Sequence, residues 1–301
     1  MKSAPFDYAV AHSIVEAAAS LAEVGDDAMI IAGGQTLVPM MAMRLARPSL
    51  LIDVNGIEEL TGIEECPDGL CIKACTRQAE ALASPIIAAS QPLLAKALPN
   101  IGHAQTRNRG TVGGSIALGD PAAEIPLVAT ALDARITLQT KDGRREIPVN
   151  GFYEGPLMTS RAPDECLTEI VFPLWPDDGR IGTAFQEVNQ RHGDFAIVAA
   201  AAQVLVDSDG VCRRAALALG GASGFPIRIT AAEAALEGST IDDAAIAAAA
   251  DCVGAAVDPQ SDLHASADYR RRVAKVLVER VIREAFGDAG GGALDAGGDS
   301  P

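Results

Sequence analysis

The sequence predicts a fold of the α+β class that is built from three successive units. Up to about residue 175, apolar runs of strand-like composition alternate with helical stretches. From about residue 177, three strand-like runs are followed by three helical ones. In addition, two pairs of consecutive glycines each mark a turn where an apolar run ends. A chain of 301 residues is long enough to bury sizeable cores in two or three such units.

The first unit, residues 1–55, is predicted to be a small βαβ arrangement. Its first helix follows a serine that suits the N-cap position, and a strand, a short helix and a second strand come after it. These elements are predicted over 13–24, 28–31, 39–45 and 50–54. The first glycine pair lies between the first strand and the short helix, at a strand-to-helix corner.

The second unit, residues 56–176, is predicted to combine strands with two helices and a long polar segment. Its elements are a strand over 70–76, a helix over 86–98, the polar segment 100–110, the second glycine turn, a helix over 122–132 and strands over 134–140 and 166–173. Polar loops of this length are usually functional or disordered, so we expect one of these two properties for 100–110.

The third unit, residues 177–286, is predicted to place its strands before its helices. The strands are predicted over 183–189, 199–206 and 213–219, and the helices over 231–236, 242–256 and 267–286. The tail 287–301 is rich in glycine and aspartate and has little apolar surface to bury, so we expect it to be mobile.

Charge and hydropathy exclude two classes of protein. The formal net charge of -16 argues against a nucleic-acid surface, because binding many phosphates requires clustered lysine and arginine. The N-terminal segment is interrupted by Pro5 and Asp7 and does not resemble a secretory leader. The most apolar run, 195–206, is too short to span a bilayer. A cytoplasmic protein without a membrane span is the resulting prediction.

The six cysteines are expected to be reduced and structural, as is usual in the cytosol. Cys66, Cys71 and Cys75 are spaced close to, but not at, the C-x4-C-x2-C interval of plant-type iron–sulfur ligands, and no fourth cysteine follows until Cys166. Cys71 and Cys75 lie in a strand-like segment, where they share one face and act as small apolar side chains. We therefore predict neither a cluster nor another metal in this chain.

The two glycine motifs suit a shared anion site. The first reads Ala32-Gly33-Gly34-Gln35-Thr36 and the second reads Thr111-Val112-Gly113-Gly114-Ser115. Glycine tolerates positive φ and lets backbone approach a ligand closely, so consecutive glycines aim several N–H groups at one anion. Two such turns suit a pyrophosphate. Neither the P-loop pattern nor the Rossmann G-x-G-x-x-G is present, and each motif by itself is more often only a turn.

Four motifs in a fixed order carry a specific resemblance. They are Ala32 to Pro39, Ile101 to Ser115, Asp120-Pro121-Ala122-Ala123-Glu124, and Arg191-His192-Gly193-Asp194-Phe195-Ala196. On these residues the chain closely resembles the FAD-binding medium subunit of molybdenum hydroxylases, the family of the carbon monoxide dehydrogenase flavoprotein and of the xanthine dehydrogenase flavin domain. The resemblance covers roughly residues 1–286.

The resemblance implies both a fold and a cofactor. The first two units would form a two-part FAD-binding domain of the vanillyl-alcohol oxidase type. The third would be an antiparallel-sheet-plus-helices C-terminal domain beside the isoalloxazine ring. The two glycine motifs would hold the pyrophosphate through backbone N–H groups and through three hydroxyls, those of Thr36, Thr111 and Ser115. Hydrogen bonds to charged groups contribute about 1.5–3 kcal/mol each, so no lysine is required.

Further cofactor contacts follow from the same resemblance. Glu124 matches an acidic residue near the adenosine half of FAD, and Asp120 belongs to the same motif. Ile101 matches an apolar residue near the cofactor, and Leu167 one whose backbone meets the adenine. Gln186 stands where the family frequently has a basic residue near the flavin ring. By themselves, Glu124 also suits a helix start, Ile101 and Leu167 a core, and Gln186 a solvated strand.

The loop at residues 191–196 is expected to meet the flavin. Phe195 would cover one face of the ring, and Asp194 would pair with Arg191 to hold the loop. Without the resemblance, a surface ion pair and a core phenylalanine would explain these residues. His103 and His192 have no neighbour in the sequence that forms an acid–base dyad, so no catalytic residue is predicted.

The implied function is electron transfer within a heteromeric oxidoreductase. In the family, a large subunit carries the molybdopterin cofactor, a small subunit carries two [2Fe–2S] clusters, and FAD on the medium subunit passes electrons to an external acceptor. Pairs of such heterotrimers are usual. The alternatives are a self-sufficient flavin oxidoreductase of the same superfold and a non-catalytic FAD-binding or assembly protein. The substrate stays open among carbon monoxide, purines, N-heterocycles and aldehydes.

Overall fold

The computed structural model describes residues 2–176 and 178–290, so most of the predicted tail, residues 291–301, lies outside the described part of the chain. The chain forms two compact units that are interleaved in sequence. The first takes the chain up to Gln91, then Ile101–Asp120 and Asp133–Leu174. The second takes Pro92–Asn100, Pro121–Leu132 and the chain from Trp175 onwards. The three contiguous domains drawn from the sequence stay a prediction.

The first unit begins with a three-stranded parallel sheet in the order β1-β3-β2. Its strands are β1 (Asp7–Val10), β2 (Ala28–Ile31) and β3 (Leu50–Asp53). Helix α1 (Ile14–Val24) precedes β2, and α2 (Leu37–Ala42) lies between β2 and β3. The hydroxyl of Ser13 accepts a hydrogen bond from the Glu16 N–H at 3.1 Å, which confirms the predicted N-cap.

An antiparallel sheet of five strands completes the first unit, in the order β4-β5-β10-β6-β7. Its strands are β4 (Ile63–Cys66), β5 (Gly69–Lys73), β6 (Arg135–Gln139), β7 (Arg144–Pro148) and β10 (Cys166–Phe172), and a separate hairpin pairs β8 (Tyr153–Gly155) with β9 (Met158–Thr159). The helices of this unit beyond α2 are α3 (Gln78–Ala83), α4 (Pro85–Ser90), α6 (Ala104–Arg109) and α7 (Val112–Leu118).

Two sequence predictions for this region are wrong in detail. The single helix predicted over 86–98 is two helices, because Pro92 starts a new helix, α5 (Pro92–Ala97), directly after α4. The polar segment 100–110 contains α6, so its prediction as a long loop is wrong, whereas a functional role for the segment stays a prediction.

The second unit is built on one antiparallel sheet in strand order, β11-β12-β13-β14. Its elements are α5, α8 (Glu124–Ala131), β11 (Arg180–Val188), β12 (Val198–Val206), β13 (Cys212–Gly220), β14 (Ile227–Arg228), α9 (Thr230–Leu236), α10 (Asp243–Asp251), α11 (Val253–Ala256) and α12 (Ala267–Asp288). All nine residues of β12 and all eight of α8 are buried. This agrees with the C-terminal sheet-plus-helices arrangement expected from the sequence.

Small side chains let helices approach this sheet closely. Four consecutive alanines lie in the N-terminal half of β12, and α8 and α12 both pack on that strand. A Cβ atom on Gly182 of β11 would overlap the carbonyl oxygen of Ala285 in α12. The backbones of strand and helix are therefore in direct contact at this point.

Cys66 and Cys71 form a disulfide in the hairpin of β4 and β5, so the expectation of six reduced cysteines is wrong for this pair. The hairpin places their Cα atoms 6.1 Å apart, which is within the span of a disulfide. Cys75, Cys166 and Cys212 are free and buried. Burial raises the pKa of each of these three thiols, as expected for structural cysteines.

Candidate cofactor-binding site

The first glycine motif forms an open turn between β2 and α2. Gly34 has φ of +70°, and it is the one residue of the two glycine pairs with positive φ. The backbone N–H groups of Gly33, Gly34, Gln35 and Thr36 donate no hydrogen bond to any described residue. The Thr36 hydroxyl makes no cap hydrogen bond either. Four adjacent donors without an acceptor fit the predicted role of this turn in binding an anion.

The second glycine motif differs from the expected turn, because Gly113 and Gly114 lie in the first turn of α7 without positive φ. Thr111 is the N-cap of this helix, and its hydroxyl accepts a hydrogen bond from the Gly114 N–H at 3.1 Å. Gly113 is needed for close approach, since a Cβ there would lie 2.6 Å from Cα and Cβ of Ala74. Helix α7 therefore rests on the residue that follows β5.

The backbone donors of this second segment are mostly engaged within the protein. The N–H groups of Val112 and Gly113 donate to the carbonyls of Thr76 and Ala74 at 3.0 and 2.9 Å. The Ser115 N–H donates to the Thr111 carbonyl at 3.2 Å. The N–H groups of this segment are thus engaged within the protein, and its role in holding the pyrophosphate stays a prediction. What it presents is the exposed backbone at Gly114 and the hydroxyl of Ser115, which bonds to no described residue.

The two segments lie side by side in the first unit. A Cβ on Gly33 would lie 2.5 Å from the carbonyl oxygen of Arg109 and 2.8 Å from Cα of Gly110. These two residues immediately precede the second motif. The absence of a side chain at Gly33 thus permits direct contact between the backbones of both segments, as expected for two parts of one site.

A polar network that the sequence analysis missed links the same segments. The side-chain amide of Asn55 donates to the Ala32 carbonyl at 2.9 Å and to Asp53 Oδ1 at 2.6 Å. The Arg77 guanidinium donates to Asn55 Oδ1 at 2.7 Å and to the Arg109 carbonyl at 2.6 Å. One chain of hydrogen bonds therefore runs from Ala32, at the start of the first motif, to Arg109, two residues before the second motif.

Asp53 is ionised within this network. Partial burial opposes its ionisation, but hydrogen bonds from the Tyr8 hydroxyl and from Asn55, with the nearby charge of Arg109, hold the pKa of the Asp53 carboxyl below its ordinary value. The same hydrogen bond raises the pKa of Tyr8. A charged Asp53 fixes the orientation of the Asn55 amide, because it accepts from both the backbone and the side-chain nitrogen of Asn55.

Three other predicted contacts lie in the first unit. Ile101 is buried, and its carbonyl accepts a hydrogen bond from Arg107 at 2.7 Å. Leu167 is buried on β10 beside a bulge in the ladder with β6. Asp120 is half-buried and follows Gly119, which ends α7 in the left-handed conformation. The structure brings the first glycine motif into contact with the two residues that precede the second one. For Ile101, Leu167 and Asp120 the cofactor role stays a prediction.

Four predicted residues belong to the second unit. Glu124 is buried at the start of α8, and Gln186 on β11 donates to Glu284 of α12 at 2.6 Å. Asp194 and Phe195 lie in the loop between β11 and β12, where Asp194 accepts a hydrogen bond from Arg191 at 3.1 Å. The predicted pairing of Asp194 with Arg191 is therefore confirmed.

Phe195 is not part of a core. Its exposed fraction is 67%, which is high for an aromatic side chain, and the preceding Gly193 bends the loop with φ of +88°. The interpretation of Phe195 as a plain core residue is excluded, and a large apolar ring at a loop tip is available for a flat ligand. No group of three or more potential metal ligands occurs among the described residues.

Comparison with known proteins decides the family. The family model described as the FAD binding domain in molybdopterin dehydrogenase matches residues 4–175, and the CO dehydrogenase flavoprotein C-terminal domain matches residues 183–285. The chain belongs to the family of FAD-binding medium subunits of molybdenum hydroxylases. The predicted oxidoreductase class and the predicted cofactor, FAD, are confirmed by this membership.

Individual members of the medium-subunit family match over almost their whole length. The chain is 42% identical to the 6-hydroxypseudooxynicotine dehydrogenase complex subunit alpha of Paenarthrobacter nicotinovorans, covering 95% of this chain and 96% of that protein. It is 36% identical to the carbon monoxide dehydrogenase medium chain of Hydrogenophaga pseudoflava, covering 93% and 97%. These relatives are subunits of multi-subunit dehydrogenases.

Solved structures of family members show the same fold. A structure of carbon monoxide dehydrogenase from Hydrogenophaga pseudoflava matches with a TM-score of 0.92 and 38% identity, covering 96% of this chain and 99% of that one. Quinoline 2-oxidoreductase from Pseudomonas putida 86 matches with a TM-score of 0.90 and 34% identity, covering 96% and 99%. The predicted FAD-binding and C-terminal domain architecture is therefore confirmed. No helix in residues 2–176 and 178–290 is long and apolar enough to cross a membrane.

Proposed function

We propose that this chain is the electron-transferring FAD subunit of a heteromeric molybdenum hydroxylase. Electrons would arrive from [2Fe–2S] clusters of a small partner subunit and leave through FAD to an external acceptor. A large partner subunit with the molybdopterin cofactor would oxidise the substrate. The observation that carries this proposal is the adjacency of two glycine segments, one of which has four open backbone donors, within a chain of the medium-subunit family.

The residues of the first unit fit the phosphates of FAD. The N–H groups of Gly33, Gly34, Gln35 and Thr36 would donate to the pyrophosphate, together with the hydroxyls of Thr36 and Ser115. Hydrogen bonds to charged groups contribute about 1.5–3 kcal/mol each, so four to six of them would hold FAD without a lysine. FAD, when bound, supplies the redox chemistry, and the protein orients it and excludes water.

The second unit is proposed to supply groups near the flavin. Phe195 would cover a face of the isoalloxazine ring, and the ion pair of Arg191 with Asp194 would hold the loop that carries it. Glu124 and Gln186 keep the roles that the family resemblance implies. The side-chain amide of Gln186 donates a hydrogen bond to Glu284, which would hold it in place on β11.

The assembly and the location belong to the same proposal. The relatives are named as medium chains or as subunits of complexes, which supports partner subunits for this chain. We propose a dimer of heterotrimers in the cytoplasm. The relatives act on different molecules, carbon monoxide and quinoline among them by their names, so the substrate is left unassigned.

The test is reduction of the flavin inside the assembled complex. The chain should be co-expressed with its two candidate partners, and the isolated chain should carry one FAD that acid precipitation releases into a yellow supernatant. Adding substrate of the large subunit should bleach the flavin of the complex but not that of the isolated chain.

Other outcomes would support the alternatives. Reduction of FAD in the isolated chain by a small substrate would favour a self-sufficient oxidoreductase. A flavin that stays oxidised in a complex whose clusters are reduced would favour a non-catalytic FAD-binding role. A chain that stays alone in size-exclusion chromatography beside both partners would refute the subunit assignment.

A further inference from the structure

We propose that Asn55 and Arg77 are positioning residues that hold the two glycine segments at the spacing that the pyrophosphate of FAD requires. The inference rests on the proposed function, since it assigns a role in the same site. Neither residue belongs to the glycine motifs. Their contribution would act through backbone groups and not through direct contact with the cofactor.

The first argument is the continuity of the link between the segments. Asn55 bonds to the carbonyl of Ala32, Arg77 bonds to Asn55, and Arg77 also bonds to the carbonyl of Arg109, with distances of 2.9, 2.7 and 2.6 Å. Ala32 and Arg109 are 77 positions apart, the difference of their numbers, and no strand ladder pairs them. Within residues 2–176, the hydrogen-bonded link between their two carbonyls runs through the side chains of Asn55 and Arg77.

The second argument concerns the direction of a donor. In a trans peptide the C=O of one residue and the N–H of the next point in opposite directions. No cis peptide is present in the described chain, so anchoring the Ala32 carbonyl on Asn55 turns the Gly33 N–H away from Asn55. This N–H is one of the four donors without an acceptor. Asn55 therefore fixes the direction in which that donor points.

The third argument is the fit of the side-chain chemistry. The amide nitrogen of Asn55 faces two acceptors, Asp53 Oδ1 and the Ala32 carbonyl, and its oxygen faces a donor, Arg77. Only an amide offers a donor and an acceptor in this arrangement. The planar guanidinium of Arg77 reaches two acceptors with two nitrogens, which a lysine ammonium cannot reproduce with the same geometry.

The proposal is tested by ligand affinity in variants of the full chain, after removal of FAD. FAD and ADP contain the pyrophosphate, whereas adenosine does not, and ADP and adenosine are measured by competition with FAD fluorescence. Arg77→Met removes both hydrogen bonds of the guanidinium, and Asn55→Asp replaces the donor by a carboxylate beside Asp53. Both variants should bind FAD and ADP ten- to a hundredfold more weakly, with the affinity for adenosine unchanged.

Matched variants separate positioning from loss of fold. Arg144→Met changes an exposed arginine on the edge strand β7 of the same unit and should leave all three affinities unchanged. Arg77→Lys retains the charge and should bind FAD more tightly than Arg77→Met but more weakly than wild type. It also serves as the second variant if Arg77→Met does not fold. A parallel loss of adenosine affinity, or wild-type FAD affinity in both Arg77→Met and Asn55→Asp, overturns the inference. Absence of FAD binding by the wild-type chain would instead refute the proposed function.

Discussion

Replacing Gly33 with alanine is expected to separate the two glycine segments. The new Cβ would start 2.5 Å from the Arg109 carbonyl oxygen and 2.8 Å from Cα of Gly110. Both neighbours are backbone atoms, so no side-chain rotation relieves the overlap. Reaching the 3.4 Å of an ordinary contact requires a displacement of 0.9 Å, the difference between 3.4 and 2.5 Å.

The size of the effect follows from two costs. Overpacking of this kind costs typically about 1–3 kcal/mol in the free energy of unfolding. A shift of nearly 1 Å also breaks or distorts the hydrogen bonds from this turn to the pyrophosphate, each of which contributes about 1.5–3 kcal/mol. Loss of one such bond weakens FAD binding by about ten- to a hundredfold. We therefore expect Gly33→Ala to lose FAD at concentrations that saturate the wild-type chain.

The assay measures FAD content and affinity together with thermal unfolding. The purified variant should contain less than stoichiometric FAD, and fluorescence titration of its apoprotein should give a raised Kd. Its melting temperature without FAD should fall by about 2–4 °C for each kcal/mol lost. Circular dichroism should show an otherwise folded chain.

A matched control makes the result decisive. Gly151 has no positive φ, and a Cβ there would meet nothing within 4 Å, so Gly151→Ala should leave FAD affinity unchanged. The reasoning would be refuted by a Gly33→Ala variant that binds FAD as tightly as wild type. Equal loss of FAD in the Gly151→Ala variant would show that the effect is not specific to the contact between the segments.

Two further predictions concern the second unit. Phe195→Ala should change the flavin spectrum, fluorescence or potential with little change in melting temperature, because the ring is 67% exposed and stacking contributes about 0.5–1.5 kcal/mol beyond area burial. The control is Leu263→Ala, which changes another exposed apolar residue. A large loss of stability with an unchanged flavin would contradict the prediction. Burial raises the pKa of Glu187 to about 7, so the folded state binds a proton that the unfolded state has released, and the contribution of this group to stability falls as pH rises from its ordinary pKa of 4.5 to about 7. In thermal melts, the stability of Glu187→Gln relative to wild type should therefore increase as the pH is raised from about 5 to about 8. A stability difference that does not change with pH would show that Glu187 is ionised normally.

Strands with a mostly apolar sequence, such as β2, were predictable even at a sheet edge, whereas the polar edge strand β7 was not. The predicted bounds of β2 agree with the structure because the run 28–31 is apolar and is followed by the turn that contains Gly33 and Gly34. Strand β7 has the sequence RREIP and is exposed along most of its length, so its composition resembles a loop. Charged residues are common on edge strands because they discourage pairing with other chains. Strand β1, also at a sheet edge, was missed as well.

The glycine motifs of the site were predictable, whereas the side chains that hold these motifs in place were not. Glycine pairs can be located in a sequence, yet only coordinates show that Gly34 has positive φ while Gly113 serves helix packing. Asn55 and Arg77 bond to carbonyls 23 and 32 positions away in the chain. Carbonyl acceptors carry no side-chain signature, so no spacing rule in a single sequence reveals such pairs. An asparagine directly after the predicted strand 50–54 was the available signal, and asparagine is common in turns of many kinds.

Because the two units are interleaved in sequence, the second unit cannot fold until long after its first helices have been synthesised. Helix α8 packs on β12 and β13, and β13 ends at Gly220, which is 88 residues after Leu132, the difference of the two numbers. At ribosomal rates of about 5–20 residues per second, this interval is roughly 4–18 s. During that time the apolar helix α8 of the nascent chain has no sheet to pack against. We therefore expect chaperones that hold unfolded chains to bind this segment. A C-terminal fragment that begins at residue 178 would lack α8 and α5 permanently, and its sheet would be prone to aggregation.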